Sequence, residues 1–184
     1  MGLSAGDTKE GPLRQVISVL EATNTAYALI GGVAVQLHSA EPRTTLDIDL
    51  AVRTFAEIPV EALKSVGFEH EGRFPHSDNW RAPGSMPRTQ RTAIQFSAED
   101  VGIASAVEHA RAVDIGGMTL RIARPADLVV LKLAAAEEPQ RRMRKRRQDL
   151  MDILSLVDDH PEASAAVPDL NERLERLRSA IFTV

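Results

Sequence analysis

A mixed α+β fold is expected, on three observations. Strand-length apolar runs alternate with helix-periodic segments through residues 1–124, whereas 125–184 read as helix alone. An apolar run over 27–30 stops at Gly31-Gly32 and is followed by a short helical segment. A second apolar run then carries two acids, Asp47 and Asp49, at alternate positions. Together these predict a small mixed β-sheet flanked by helices: an α/β core over 1–124, with a helical C-terminal part over 125–184 packed on it.

In chain order, Leu13, Val16, Ile17 and Leu20 recur at helical spacing and predict a helix over 12–24, with Pro12 in its first turn. The first strand is expected over 25–30 and a helix over 32–39, which Glu41-Pro42 breaks. Residues 46–52 form the second strand. A helix over 58–66 ends at Gly67, and 68–71 form a short strand. The span 73–91 has no regular period and reads as a long loop holding Trp80, the one tryptophan, and the arginines at 73, 81, 88 and 91. Trp80 beside Arg81 either stacks a base or pins the loop to the core. A strand over 92–97, a helix over 103–111 and a hairpin over 112–122, turning at Gly116-Gly117, come next. Helices over 126–136, 141–158 and 169–179 complete the chain.

Composition excludes several classes. There is no cysteine, so disulfides and thiolate metal sites are out, which fits a reducing cytoplasm. The polar start lacks the apolar core of a signal peptide, and no apolar run reaches membrane-spanning length. The five histidines show no ligand spacing. The net charge of -4 hides one local asymmetry: six of the seven residues at 141–147 are basic (Arg141, Arg142, Arg144, Lys145, Arg146, Arg147). That patch either meets a polyanion such as RNA or is a solvated helix start, where cations are poorly placed.

The chemistry concentrates at 31–49. Side chains alternate along a strand, so Asp47 and Asp49 share a face and repel each other beside apolar neighbours. A divalent cation relieves both problems, and Mg²⁺ is held by one or two carboxylates with phosphate oxygens completing its shell. Gly31 and Gly32 let a phosphate approach the backbone where a helix starts. Farther on, Lys132 is the one charge in the apolar run 128–136, and it either snorkels or meets an anion. Asp149 and Asp152 share a helix face, and Asp149 pairs either with Lys132 on the preceding helix or with Lys145 on its own.

Gly31-Gly32, fourteen residues, then Asp47-Ile48-Asp49 resembles the signature of the polymerase-beta-like nucleotidyltransferase superfamily. The run Arg43-Thr44-Thr45-Leu46-Asp47-Ile48-Asp49 resembles more narrowly its AbiEii-type branch, many of whose members are toxins of toxin–antitoxin pairs. The Lys132-Leu133-Ala134-Ala135 and Asp149-Leu150-Met151-Asp152 segments resemble that branch's third and fourth motifs. The resemblance implies a Mg²⁺-dependent enzyme moving a nucleoside monophosphate from a nucleoside triphosphate to a hydroxyl. The acceptor would be a tRNA 3′ end, a protein or a small molecule, and a toxin would need an antitoxin protein. It implies one or two Mg²⁺ ions on Asp47 and Asp49, active-site roles for Lys132 and Asp149, and nucleotide contacts from Gly31, Gly32, Arg43 and Thr44; Arg43 equally pairs with Glu41. One departure stands out. The superfamily's third carboxylate is expected on strand 92–97, where Gln95 stands instead, with Glu99 and Asp100 just beyond. Glutamine is neither a base at neutral pH nor an anionic ligand. A catalytically degenerate protein binding nucleotide, RNA or a protein partner without turnover therefore stays open beside the enzyme.

Overall fold

The computed structural model describes residues 9–40 and 47–182. Arg43 and Thr44 lie outside the described residues.

Helix α1 (Glu10–Ala22) buries the expected stripe of Leu13, Val16, Ile17 and Leu20. Strand β1 (Ala28–Ile30) is shorter than expected and runs directly into helix α2 (Gly31–His38). Strand β2 (Asp47–Ala51) carries both aspartates on its half-buried face, with Ile48 and Leu50 buried on the other. A 3₁₀ turn (Phe55–Glu57) precedes helix α3 (Val60–Ser65), which ends at Gly67 with φ +92°.

The short strand expected over 68–71 runs on to residue 74, and the span 73–91 expected to be a loop holds a further strand. β3 (Glu69–Phe74) and β4 (Ser77–Arg81) form a hairpin, and the irregular stretch begins only after it. A carboxylate at a core position hid β4: Asp78 and Trp80 share one buried face, which breaks the apolar pattern. Asp78 accepts hydrogen bonds from Trp80 Nε1 at 2.6 Å and Arg73 Nε at 2.8 Å, with His70 Nε2 at 2.9 Å. Trp80 is fully buried, so of the two readings the core anchor holds and the base-stacking one falls.

Strand β5 (Ala93–Ser97) follows, then helix α4 (Val101–Glu108). Residue 111, expected to end that helix, opens β6 (Arg111–Ile115), which turns at Gly116-Gly117 into β7 (Met118–Ile122). Helices α5 (Pro125–Glu137), α6 (Met143–Asp159) and α7 (Leu170–Phe182) close the chain, with a 3₁₀ segment (Pro161–Ala166) between the last two.

The seven strands form one sheet in the order β3-β4-β5-β2-β1-β7-β6. The β2–β5 and β1–β7 pairs are parallel and the others antiparallel. The register lines up Ile30, Asp49, Gln95 and Asn79 as one cross-strand row. A single hydrophobic cluster runs from Leu13 to Ile181 and draws on the sheet and the C-terminal helices alike. Among the described residues no helix is long and apolar enough to cross a membrane.

Candidate active site

The site starts at a corner only glycine can form. Gly31 sits at φ +65°, and a Cβ there would lie 2.0 Å from Asp49 Oδ2. Both facts exclude a side chain, one through backbone sterics and one through overlap. The Gly32 N–H faces the Asp49 carboxylate and favours its charge, so the start of α2 and the middle of β2 meet at this point. The first turn of α2 has no side-chain cap, and its Gly31 and Gly32 line the same space.

Asp49 is held above the ordinary carboxylate range, chiefly by loss of solvent. The charge of Lys132 opposes that shift, and the neighbouring Asp47 adds to it. Gln95 is the direct neighbour of Asp49 on β5. These groups form one wall of a cleft of about 360 Å³.

The other wall comes from the C-terminal helices. Lys132 on α5 reaches Asp149 Oδ1 at 3.0 Å and Asp152 Oδ2 at 2.8 Å, both on α6. Arg141 Nε donates to the other oxygen of Asp149 at 2.6 Å, and Gln148 Nε2 donates to Asp152 at 3.1 Å. Asp149 and Asp152 are buried, and Lys132 is nearly so. The structure therefore decides for Lys132 over Lys145 as the partner of Asp149. Lys145 lines the cleft instead, beside Arg141.

The basic run divides by position. Arg141 and Lys145 face the cleft. Arg146 Nε donates to Ala136 O at 2.7 Å, fastening the end of α5, while Arg147 lies over the Phe182 ring of α7. Arg142 and Arg144 are exposed. The two acids just beyond Gln95 do not line the cleft. Asp100 caps α4 by accepting from Gly102 N at 2.8 Å, and neither it nor Glu99 is among the described residues lining the cleft.

The structure thus brings together Gly31, Gly32, Asp47, Asp49, Lys132 and Asp149 around one space. Sequence reasoning missed Lys145 and Gln148 as cleft residues and Asp152 as the second anchor of Lys132. The signal was available: positions 145, 148, 149 and 152 recur at helical spacing on one face.

The donor set suits a hard cation. Asp47 and Asp49 offer carboxylate oxygens from one face, with no histidine or cysteine lining the cleft. Among the described residues no group of three or more His, Asp or Glu makes a self-contained cage. An ion on this pair would draw its other ligands from water or phosphate, which is how Mg²⁺ is usually bound.

The family model described as nucleotidyl transferase AbiEii toxin, type IV toxin–antitoxin system, matches residues 18–180. No curated protein sequence matches the chain. Among solved structures, it is similar to an antigenic nucleotidyltransferase-like protein from Paracoccidioides brasiliensis, with 22% identity, TM-score 0.56 and 99% of each chain covered. It is also similar to ANT(2")-Ia in complex with adenylyl-2"-tobramycin, with 14% identity, TM-score 0.58, and 95% of this chain and 97% of that one covered. The lincosamide antibiotic adenylyltransferase LnuA, lincomycin-bound, follows with 12% identity, TM-score 0.53, and 80% and 97% covered. At these identities the likenesses establish a shared nucleotidyltransferase fold.

Proposed function

The chain belongs to the AbiEii nucleotidyl transferase toxin family, and we propose that it is a Mg²⁺-dependent enzyme that transfers a nucleoside monophosphate from a nucleoside triphosphate to a hydroxyl, releasing pyrophosphate. The observation that carries this reading is the contact between Gly31 and Asp49. A corner with no room for a Cβ brings the start of α2 against the desolvated carboxylate of Asp49, beside Asp47 and across a cleft from cationic side chains.

Gly31 and Gly32 seat the triphosphate against backbone donors. Asp47 and Asp49 hold the metal, which when bound neutralises phosphate charge and acts as a Lewis acid. Lys132 has three N–H donors; Asp149 and Asp152 take up two directions and fix the ammonium, leaving a donor for phosphate. Arg141 and Lys145 add positive charge on the same side. Arg43 and Thr44 are assigned to phosphate contact on the resemblance alone. The exposed Arg142 and Arg144, next to that wall, favour a polyanionic acceptor such as a tRNA 3′ end over a protein or a small molecule. In this reading the protein works in the cytoplasm as the toxin of a pair, and an antitoxin protein restrains it.

One observation favours a second reading. Gln95 stands beside Asp49 in the row where a third carboxylate would help hold a metal and accept the hydroxyl proton. A degenerate site would bind triphosphate, RNA or a protein partner without turnover.

The test offers each of four α-labelled triphosphates with Mg²⁺ and follows label into total RNA and total protein. The enzyme reading expects transfer by the wild type and a loss of roughly 1,000-fold in Asp49→Ala, the scale of several kcal/mol of lost metal stabilisation. Triphosphate binding without transfer, together with activity gained by Gln95→Asp, would establish the second reading instead.

A further inference from the structure

The last turn of α2 is fastened to the far end of α6 by three contacts. His160 Nε2 lies 2.9 Å from His38 O. The Ser39 and Ser155 hydroxyls are 2.8 Å apart, and Ser39 is buried. Asp159 Oδ2 accepts from the Ala40 N–H at 2.9 Å. A fourth contact, His38 Nε2 to Ala123 O at 2.8 Å, ties the same turn to the residues leading into α5. The carbonyl oxygens accept, so each imidazole presents an N–H on Nε2, and the two rings meet edge to face at 5.5 Å.

These contacts lie at the opposite end of α2 from the glycine corner. α2 is eight residues long, so the two ends are about 12 Å apart. α6 in turn carries Lys145 and Asp149 in its first half and Ser155 and Asp159 in its second. Thus α2 is joined to β2 at Gly32 and Asp49, and to α6 at 38–40. Around the cleft, α6 is joined to α5 through Lys132. These links run in series from β2 through α2 and α6 to α5, and of the three only the α2–α6 joint has none of its described residues lining the cleft.

We infer that Ser155, Asp159 and His160 are positioning residues. They act through α2 to set how far the glycine corner stands from the basic wall, and hence whether a triphosphate is gripped from both sides. This rests on the nucleotide-transfer reading. α2 is short and continuous with β1 at Gly31, so release of its 38–40 end lets it pivot there and loosens the approach of Gly32 to Asp49. The predicted damage is in placement, not in fold, because Asp159 is exposed and its single bond to Ala40 is one of several holding the turn.

The test uses the full chain with Ser155→Ala/Asp159→Ala, and Asp159→Asn as the conservative variant, whose side-chain oxygen still accepts from Ala40. Two readouts are followed well below the unfolding temperature: amide hydrogen exchange at Gly32, and transfer rate at saturating triphosphate. The double variant is expected to exchange the Gly32 N–H about tenfold faster, and to lose about tenfold in rate with little change in the KM for acceptor. Asp159→Asn is expected to stay close to the wild type in both. Faster exchange without a loss of rate, or a loss of rate without faster exchange, would overturn the inference, as would no change in either. If the double variant does not fold, Ser155→Ala alone carries the same comparison. If the wild type transfers nothing, the nucleotide-transfer reading fails on its own, and exchange at Gly32 still decides whether the joint controls the corner.

Discussion

Asp49 carries a burden that its position explains. The carboxylate is packed against Gly31, beside Asp47, and short of water, and its pKa is raised mainly by that desolvation. A carboxyl with a raised folded-state pKa binds more protons folded than unfolded between its ordinary value of 3.8 and its folded value. Stability from this group is therefore complete at low pH and is lost as pH rises through the folded pKa. Asp49→Asn is expected to raise the thermal midpoint of the metal-free protein at neutral pH, with the gain shrinking as pH falls toward 4. Melting curves at a series of pH values check this; an unchanged or lower midpoint at neutral pH would refute it. This residue was legible in the sequence because alternation alone puts it on one face with Asp47. Its contact with Gly31 was not, since a glycine pair says that space is needed without saying what fills it. Gln95 was legible too, and the β2–β5 register places it directly beside Asp49.

Among the elements, α5 and α6 are locked by a charge cluster whose two acids are buried, with Lys132 nearly so and Arg141 at its open edge. Lys132 and Arg141 face Asp149 and Asp152, two cations against two anions, so the cluster is neutral as a whole. Removing one member leaves the rest uncompensated in a site with little water. Lys132→Ala is expected to cost about 3–5 kcal/mol, as breaking buried ion pairs does. Urea unfolding measures it, and a loss under about 1 kcal/mol would mean that the pair behaves as an exposed one. The helices themselves were readable from periodic leucines and from Pro125, and their ends moved by only a few residues. β4 was not readable. Its buried Asp78 is paid for by Arg73, His70 and Trp80, and such pairing across a hairpin leaves no trace in a local pattern. The helix expected to reach Arg111 failed for a related reason: nothing in the residues marks the point where α4 hands over to an edge strand.

In the whole molecule the described strands all lie within 1–124, and the described residues of 125–184 carry helices. The two parts share one hydrophobic cluster. The chain is therefore expected to unfold in a single transition, with fluorescence of Trp80 in the sheet and far-ultraviolet dichroism of the helices giving the same midpoint. Separate midpoints would mean two folding units. The order of the chain adds a consequence for how the protein is made. The glycine corner and both strand aspartates leave the ribosome first, and Lys132 and Asp149 emerge some hundred residues behind Gly31. A nascent polypeptide therefore holds half a cleft until α5 and α6 have been made. Any product released early, by a stalled ribosome or a premature stop codon before α6, lacks the residues that would close it.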